Sequence, residues 1–256
     1  MKDRNLKLSV GFYSIQGEGI TTGVPSYFIR LMNCNLSCGI SKEMMRDIRK
    51  AGEEGLEDGE VIEGDLVKEG KATWTCDSVS QWAIRGEEKG HNFLIDEWKR
   101  EGIYDDVRKG VVHLIWTGGE PTMKNNAESI ISFLNYWKTT EDKPVNEYNE
   151  IETNGTLELS DELFREIDQI NCSPKLANSG MSEKRRINPE AIKQIMTHSN
   201  YNFKFVISTE QDVQEMFRDF IAPFNIPLQN VCCMPGLDDQ KDYHERTRFV
   251  MEMAKK

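Results

Sequence analysis

The sequence predicts an α/β protein built as a partial (β/α)6, TIM-like barrel. Six short apolar, β-branched or aromatic runs recur, and most are separated by segments with helical periodicity. The runs are residues 26–32, 111–116, 149–152, 167–172, 202–208 and 230–234. Strands that alternate with helices pair in parallel, and six such units are too few for a closed barrel of eight.

The segments between these runs carry recognisable helix signals. Ile130, Leu134 and Trp137 fall on one face of a helix. Ser160 and Asn188 are typical N-cap residues, so two further helices are predicted to begin after them. A last helix is predicted near the C-terminus from its apolar spacing.

Polar motifs follow five of the predicted strands at their carboxyl ends. They are Cys34 with Cys38 and residues 117–121, 153–156, 173–175 and 234–236. In βα barrels that edge binds ligands. The sequence therefore predicts a single site there.

Composition limits the class of protein. The 256 residues fit a single domain, 1–256. A net charge of −11 argues against general binding to nucleic acid, which needs a basic surface. No apolar run approaches the length of a membrane span, and the N-terminus lacks an apolar signal core. We therefore expect a cytoplasmic protein that binds neither nucleic acid nor a membrane.

The chain has six cysteines. In a cytoplasmic protein, cysteines are more often metal ligands, catalytic groups or buried thiols than disulfides. Cys172, Cys232 and Cys233 lie in predicted strands and are interpreted as buried core thiols.

The other three cysteines, Cys34, Cys38 and Cys76, indicate a metal site. A structural zinc site usually has four ligands, and no further Cys or His adjoins this loop. Three thiolates suit an iron–sulfur cluster with one open iron, which can bind and reduce a cofactor. A zinc-binding regulatory module remains the alternative.

These cysteines resemble the cluster motif of radical S-adenosylmethionine (SAM) enzymes, Cys-x3-Cys-x2-Cys, interrupted before its last cysteine. More narrowly, the chain resembles the 7-carboxy-7-deazaguanine synthases of queuosine and deazapurine biosynthesis. The matching segments are residues 12–19, 28–31, 34–38, 76–78, 117–121, 152–156, 173–175 and 234–236.

The resemblance implies a barrel of the radical SAM type with a [4Fe-4S] cluster, S-adenosyl-L-methionine and Mg²⁺ as cofactors. In that family the cluster cleaves SAM to a 5′-deoxyadenosyl radical, which abstracts hydrogen from 6-carboxy-5,6,7,8-tetrahydropterin. The ring contracts, ammonia leaves and 7-carboxy-7-deazaguanine forms. We also expect a homodimer and a reductant such as flavodoxin.

The resemblance also assigns residues to roles. The cluster ligands are Cys34, Cys38 and Cys76, and Ser78, at a position that is usually threonine, helps to hold Mg²⁺. The implied SAM contacts are Gly118, Gly119, Glu120, Thr153, Asn154, Ser173, Pro174 and Lys175. The implied substrate contacts are Ile15, Gln16, Gly17, Glu18, Arg30 and Thr117.

Each of these motifs has a plainer interpretation that the residues alone leave open. The Gly118-Gly119 pair permits close approach of a ligand, but it would also serve an ordinary turn. Gln16 and Glu18 could form hydrogen bonds with the edge of a heterocycle, or they could belong to a polar hairpin turn. Arg30 lies inside an apolar strand and needs an anionic partner, which is either an internal carboxylate or the substrate carboxylate.

The chain departs from the family pattern in two places. Residues 39–73 form an insertion in the cluster loop, predicted to be a helix over 41–52 and then an acidic loop or lid over 53–70. Such an insertion is tolerated if it leaves and re-enters near one point, because the cost of loop closure grows slowly with length. Family members usually continue beyond the last helix into a strand carrying a histidine. The sequence ends at Lys256, so it is either a fragment or closes its substrate site differently.

Two further functions remain open. One is another radical SAM reaction, such as activation of a glycyl-radical enzyme, which would require a protein partner. The other is a deazaguanine synthase with an added binding role that uses the acidic insertion.

Overall fold

The computed structural model describes residues 5–53, 72–84, 86–140, 144–236 and 243–255. In this part of the chain one eight-stranded sheet forms the centre of the molecule. Its strands are β1 (Leu6–Ile15), β2 (Pro25–Leu31), β3 (Glu87–Lys89), β4 (His113–Gly118), β5 (Asn149–Thr153), β6 (Gln169–Cys172), β7 (Tyr201–Ile207) and β8 (Val231–Pro235). Their order is β3-β1-β2-β4-β5-β6-β7-β8.

The parallel part of this sheet is the predicted partial barrel. From β2 through β4, β5, β6 and β7 to β8, all neighbours are parallel. These strands coincide with the six apolar runs, so the fold prediction is confirmed. Within the described residues β8 and β3 end the sheet at its two edges, and the barrel is therefore open.

Helices connect the parallel strands, and one more helix follows β8. They are α1 (Lys42–Glu53), α2 (Val79–Ile84), α3 (Asn92–Arg100), α4 (Tyr104–Arg108), α5 (Lys124–Thr140), α6 (Asp161–Glu166), α7 (Glu183–Arg186), α8 (Pro189–Met196), α9 (Glu210–Met216), α10 (Ala222–Phe224) and α11 (Tyr243–Met253). The predicted caps are present: the Ser160 hydroxyl accepts the Leu163 N–H, and the Asn188 side chain accepts the Glu190 N–H. None of the helices in the described ranges is long and apolar enough to cross a membrane.

The two faces of the sheet have opposite character. The outer face packs against helices, and Ile130, Leu134 and Trp137 of α5 are fully buried there as predicted. The inner face carries buried polar side chains instead, among them Glu150 and Lys204. Because polar groups are buried only where partners satisfy them, this inner face is where a ligand site is expected.

Two strands were not predicted from the sequence. β1 and β3 add to the parallel sheet in antiparallel fashion. β1 buries Leu6 and Leu8 but exposes Tyr13 and Ile15, so its alternation of buried and exposed positions breaks down. β3 has only charged residues and gives no apolar signal.

The prediction for three core thiols is only partly right. Cys172 is buried, whereas Cys232 and Cys233 are half-buried. Both lie in β8, which is an edge strand of the sheet in the part of the chain that the structure describes.

The first half of the insertion is helical, as predicted. α1 buries Met45 and Ile48 against Val79 and Trp82 of the α2 segment. The insertion therefore packs onto the chain that follows Cys76. The lid predicted over 53–70 lies outside the described residues, except for residue 53 at the end of α1.

Candidate active site

The three predicted cluster cysteines lie on two chain segments that meet. Cys34 and Cys38 follow β2, and Cys76 precedes α2. The Cys76 N–H donates to the Cys38 carbonyl at 3.0 Å. Gly39 has a φ of 74°, and a Cβ there would lie 2.1 Å from the Trp74 carbonyl oxygen, so only glycine allows this approach.

The electrostatics of the thiols show that they lie near one another. Burial raises the pKa of Cys34 to about 12, and Glu120, Cys38 and Cys76 add to that effect. Burial also raises the pKa of Cys38 to about 11, although the charge of Lys175 works in the opposite direction. Without a metal these two thiols are neutral, and a bound metal would displace their protons.

The donor set fits a cluster better than it fits one ion. Within the described ranges, no group of three or more His, Cys, Asp or Glu side chains is placed to hold a single metal ion. A four-iron cluster does not require that convergence, because each of its thiolates binds a different iron.

The glycine pair after β4 is explained by backbone packing. Gly118 has a φ of 95°, and a Cβ there would lie 2.6 Å from the Leu31 nitrogen. A Cβ on Gly119 would lie 1.9 Å from the Asn33 carbonyl oxygen. These glycines thus press the end of β4 against the segment that leads into Cys34. Their predicted contact with SAM stays a prediction.

Glu120 organises the turns after β4 and β5. One of its oxygens accepts hydrogen bonds from the hydroxyls of Thr122 (2.6 Å) and Thr153 (2.7 Å), and the other accepts the Asn154 N–H (2.8 Å). The Asn154 side chain donates to Asn35 Oδ1 at 2.9 Å and lies 3.9 Å from Cys34 Sγ. Three predicted SAM residues therefore join both turns to the cysteine loop.

The third predicted SAM segment reaches the same loop from β6. Lys175 Nζ donates to Ser173 Oγ at 3.1 Å and lies 5.5 Å from the centroid of the Trp74 ring. Trp74 packs with Cys38, and Pro174 between the two polar residues is buried. This segment thus brings a cation to the thiols.

Ser78, the predicted Mg²⁺ ligand, lies beside the third cysteine. Its Oγ donates to Asp77 Oδ1 at 3.1 Å and is 3.8 Å from Cys76 Sγ. The hydroxyl is thus adjacent to the cysteine loop, and Asp77 braces it.

Three of the predicted substrate residues, Gln16, Glu18 and Thr117, form a hydrogen-bonded polar pocket with Glu152 and Lys204 on the inner face of the sheet. Gln16 is only 2% exposed and donates to Glu152 Oε1 at 3.4 Å. The Thr117 hydroxyl donates to Glu152 Oε2 at 2.7 Å. Lys204 Nζ donates to Glu18 Oε2 at 3.0 Å and to Glu152 Oε1 at 3.3 Å.

Glu152 is ionised in this pocket. Burial alone would raise its pKa, but the charge of Lys204 and the hydrogen bonds from Thr117, Lys204 and Gln16 lower it below the ordinary value. The pocket therefore presents a carboxylate that accepts hydrogen bonds.

Arg30 also lies on the inner face of the sheet. It is the register neighbour of Thr117, so both side chains lie on the same face of the sheet. Its guanidinium lies 5.5 Å from the centroid of the Phe12 ring, and its buried Nε has no hydrogen-bond partner within the described ranges. Among the described residues no carboxylate forms an ion pair with Arg30, so the structure gives no support to the internal salt bridge.

Two predicted substrate residues occupy exposed positions. Ile15 is 62% exposed at the end of β1, and Gly17 is exposed in the turn that follows. A Cβ on Gly17 would meet nothing within 4 Å. Of this predicted segment, the side chains of Gln16 and Glu18 are the ones that reach the pocket.

Curated relatives match most of the chain. The chain is 26% identical to the 7-carboxy-7-deazaguanine synthase of Pyrobaculum aerophilum over 246 residues, which cover 95% of this chain and 85% of the relative. It is 28% identical to the synthase of Aquifex aeolicus over 232 residues, 89% of this chain and 78% of the relative. No protein-family model matches the chain.

The chain resembles the 7-carboxy-7-deazaguanine synthases along most of its length. Among solved structures, QueE from Escherichia coli matches with a TM-score of 0.54 and 19% identity, covering 97% of this chain and 89% of that one. At this identity the match concerns the fold, and it agrees with the open parallel barrel.

Two pocket residues were not identified from the sequence. Glu152 opens a segment shared with the synthases, but no role was assigned to it. Lys204 lies in the apolar run Asn-Phe-Lys-Phe of β7. A lone charge inside an apolar strand is the signal that singled out Arg30, and it would have found Lys204 as well.

Proposed function

We propose that this protein is a 7-carboxy-7-deazaguanine synthase, which converts 6-carboxy-5,6,7,8-tetrahydropterin into 7-carboxy-7-deazaguanine with loss of ammonia. One observation carries the proposal. β5 and its turn hold Glu152 in the polar pocket and, two residues later, Asn154 against the cysteine loop. A cofactor loop and a pocket for a polar heterocycle are thus adjacent on one edge of the barrel.

The cofactors follow from the donor groups at that edge. In this proposal Cys34, Cys38 and Cys76 bind a [4Fe-4S] cluster, and the turns after β4, β5 and β6 contact SAM. Together, the bound cluster and SAM supply a radical that removes a hydrogen atom from the substrate. Ser78 offers Mg²⁺ a hard oxygen ligand beside the loop.

The pocket side chains would bind and orient the pterin. Arg30, with its unpartnered Nε, suits the substrate carboxylate, because a guanidinium can bind a carboxylate with two hydrogen bonds. Glu18 and Glu152 accept hydrogen bonds from the amino and ring N–H groups, and Gln16 and Thr117 fix Glu152. The protein's task is to hold the reacting carbon in place and to exclude water.

We also propose an acidic electron donor such as flavodoxin as the redox partner. Ser37, next to Cys38, lines a groove with four basic residues of α1, which are Lys42, Arg46, Arg49 and Lys50. This local positive surface contrasts with the net charge of −11. Charge complementarity would orient an acidic protein toward the cysteine loop.

Three further features belong to the proposal. The chain 1–256 would form one domain with the insertion 39–73 docked on it, as the packing of α1 on α2 supports. The exposed Tyr13, Ile15 and Ile20 offer an apolar surface for a homodimer. Thiolate ligands need a reducing compartment, so we place the enzyme in the cytoplasm.

Anaerobic reconstitution followed by turnover tests the proposal. The reconstituted protein is incubated with SAM, Mg²⁺, the carboxytetrahydropterin and a reductant, and products are identified by mass spectrometry. We expect a product lighter than the substrate by one ammonia. Cleavage of SAM without consumption of the pterin would refute the substrate assignment and favour another radical SAM reaction. A colourless protein containing zinc would support the regulatory module instead.

A further inference from the structure

The proposed function assigns no role to Lys204. Its neighbours Phe203 and Phe205 are fully buried, and its own side chain is 4% exposed on the inner face of the sheet. A buried ammonium is costly unless ionised partners surround it, so such a residue is retained where its charge is used.

The ammonium joins two carboxylates from distant parts of the chain. Glu18 comes from the turn after β1 and Glu152 from β5, and both bond to the same Nζ, at 3.0 and 3.3 Å. Burial opposes the charge of Lys204, yet the charges of Glu152 and Glu18 raise its pKa above the ordinary value. Lys204 and Glu152 are therefore both charged at neutral pH.

In the described part of the chain, two thiols also lie near Lys204. They are Cys172 on β6 and Cys232 on β8, and burial raises the pKa of each although Lys204 lowers it. Both thiols stay neutral in the ordinary pH range. The charge at this point of the pocket thus belongs to Lys204, Glu18 and Glu152.

We propose that Lys204 is a positioning residue for substrate recognition: it holds Glu18 and Glu152 together, both as acceptors for the N–H groups of the pterin's pyrimidine edge. This inference rests on the proposed function and assigns the residue that sets specificity in that pocket. Lys204 itself is buried, whereas Glu18 is 53% exposed and therefore accessible to a ligand.

The proposal has a distinct pH signature. Without the ammonium, two neighbouring carboxylates cannot easily both ionise, so the pair takes up a proton at a higher pH than either group alone. A protonated carboxyl presents an O–H donor where the substrate also presents donors. Binding should then weaken as the pH falls through this new pKa. In the wild-type protein the ammonium of Lys204 offsets this repulsion, so binding should not change for this reason between about pH 6 and pH 9.

The test compares Lys204→Met with Lys204→Arg, which keeps the charge, and with Lys193→Met as control. Lys193 is an exposed lysine of α8 that pairs with Glu190. Binding of 6-carboxypterin is measured by fluorescence from about pH 6 to pH 9, and KM and kcat are measured with the carboxytetrahydropterin. Thermal melting and iron content confirm that each variant is folded.

We expect Lys204→Met to weaken binding and to raise KM by about tenfold or more, the size of loss typical of a charged hydrogen-bond partner. The loss should grow at lower pH, kcat should fall less, and Lys204→Arg should restore most of the affinity. Lys193→Met should match the wild type. If Lys204→Met fails to fold, Lys204→Gln takes its place: it keeps a hydrogen-bond donor without the charge, and it should show the same weaker, pH-dependent binding.

The outcomes separate the two proposals. If the wild type neither binds nor converts the pterin, the proposed function fails and the inference fails with it. If the wild type converts the pterin and Lys204→Met, or Lys204→Gln in its place, binds with wild-type affinity and pH profile, the inference alone is wrong.

Discussion

Cys76 donates its backbone N–H to the carbonyl oxygen of Cys38 at 3.0 Å. The insertion between these two cysteines therefore leaves the loop and returns to it at one point, as the sequence predicted from the small cost of closing a long loop. This hydrogen bond places Cys76 next to Cys38 in space although they are far apart in sequence. The interrupted motif can then act as a continuous one.

Iron binding should depend on three of the six cysteines. Cys34→Ala, Cys38→Ala and Cys76→Ala should each lower the iron and sulfide bound after anaerobic reconstitution to a small fraction of the wild-type content, because each removes one ligand of the cluster. Cys233→Ala is the matched control, since this half-buried thiol lies on β8 away from the loop. Normal iron content in all three variants would refute the ligand assignment.

The glycine pair supports a second prediction. Gly119→Ala should lower the free energy of unfolding by about 1–3 kcal/mol or more, because the new Cβ must move the Asn33 carbonyl group. Gly17→Ala is the control, since a Cβ there has free space, and its melting temperature should stay close to that of the wild type. Equal melting temperatures for both variants would contradict the packing role of Gly119.

Features that depend on residues close together in the sequence could be predicted, whereas contacts between residues far apart in the sequence could not. Ser160 and Asn188 accept N–H groups two or three residues away, so their caps could be predicted from local sequence. Lys204 bonds to Glu18 across 186 positions, and no local pattern pairs them. The roles of Glu152 and Lys204 therefore appeared only when the fold brought their strands together.

The strands also differ in how clearly the local sequence predicts them. The six parallel strands bury apolar side chains and are easily recognised, whereas β3 consists of Glu87, Glu88 and Lys89 and forms only because β1 lies beside it. The glycine pair was singled out as a ligand contact, which stays a prediction, and the fold adds that backbone packing requires both glycines.

Docking of the insertion gives a third prediction. Ile48→Ala should destabilise the protein by about 2–4 kcal/mol, because Ile48 is fully buried between α1 and α2 and its loss leaves a cavity. Cys34 and Cys76 pack against the same cluster, so the variant should also retain its iron less well. Chemical denaturation and the rate of iron release to a chelator measure the two effects. Glu43→Ala, at an exposed position of the same helix, should change neither.

The basic surface of α1 gives the last prediction. The double variant Arg46→Glu/Arg49→Glu should slow turnover with flavodoxin as reductant by about tenfold or more at low salt, because it replaces attraction of the acidic partner by repulsion. Turnover with dithionite, a small reductant, should be unchanged, since neither side chain belongs to the pocket. Raising the salt concentration should bring the flavodoxin-supported rates of variant and wild type closer together.

A control variant with Lys184→Glu/Lys193→Glu carries the same change in charge on α7 and α8, and it should keep wild-type rates with both reductants. If the two double variants lose flavodoxin-supported activity equally, net charge and not the α1 surface governs the encounter.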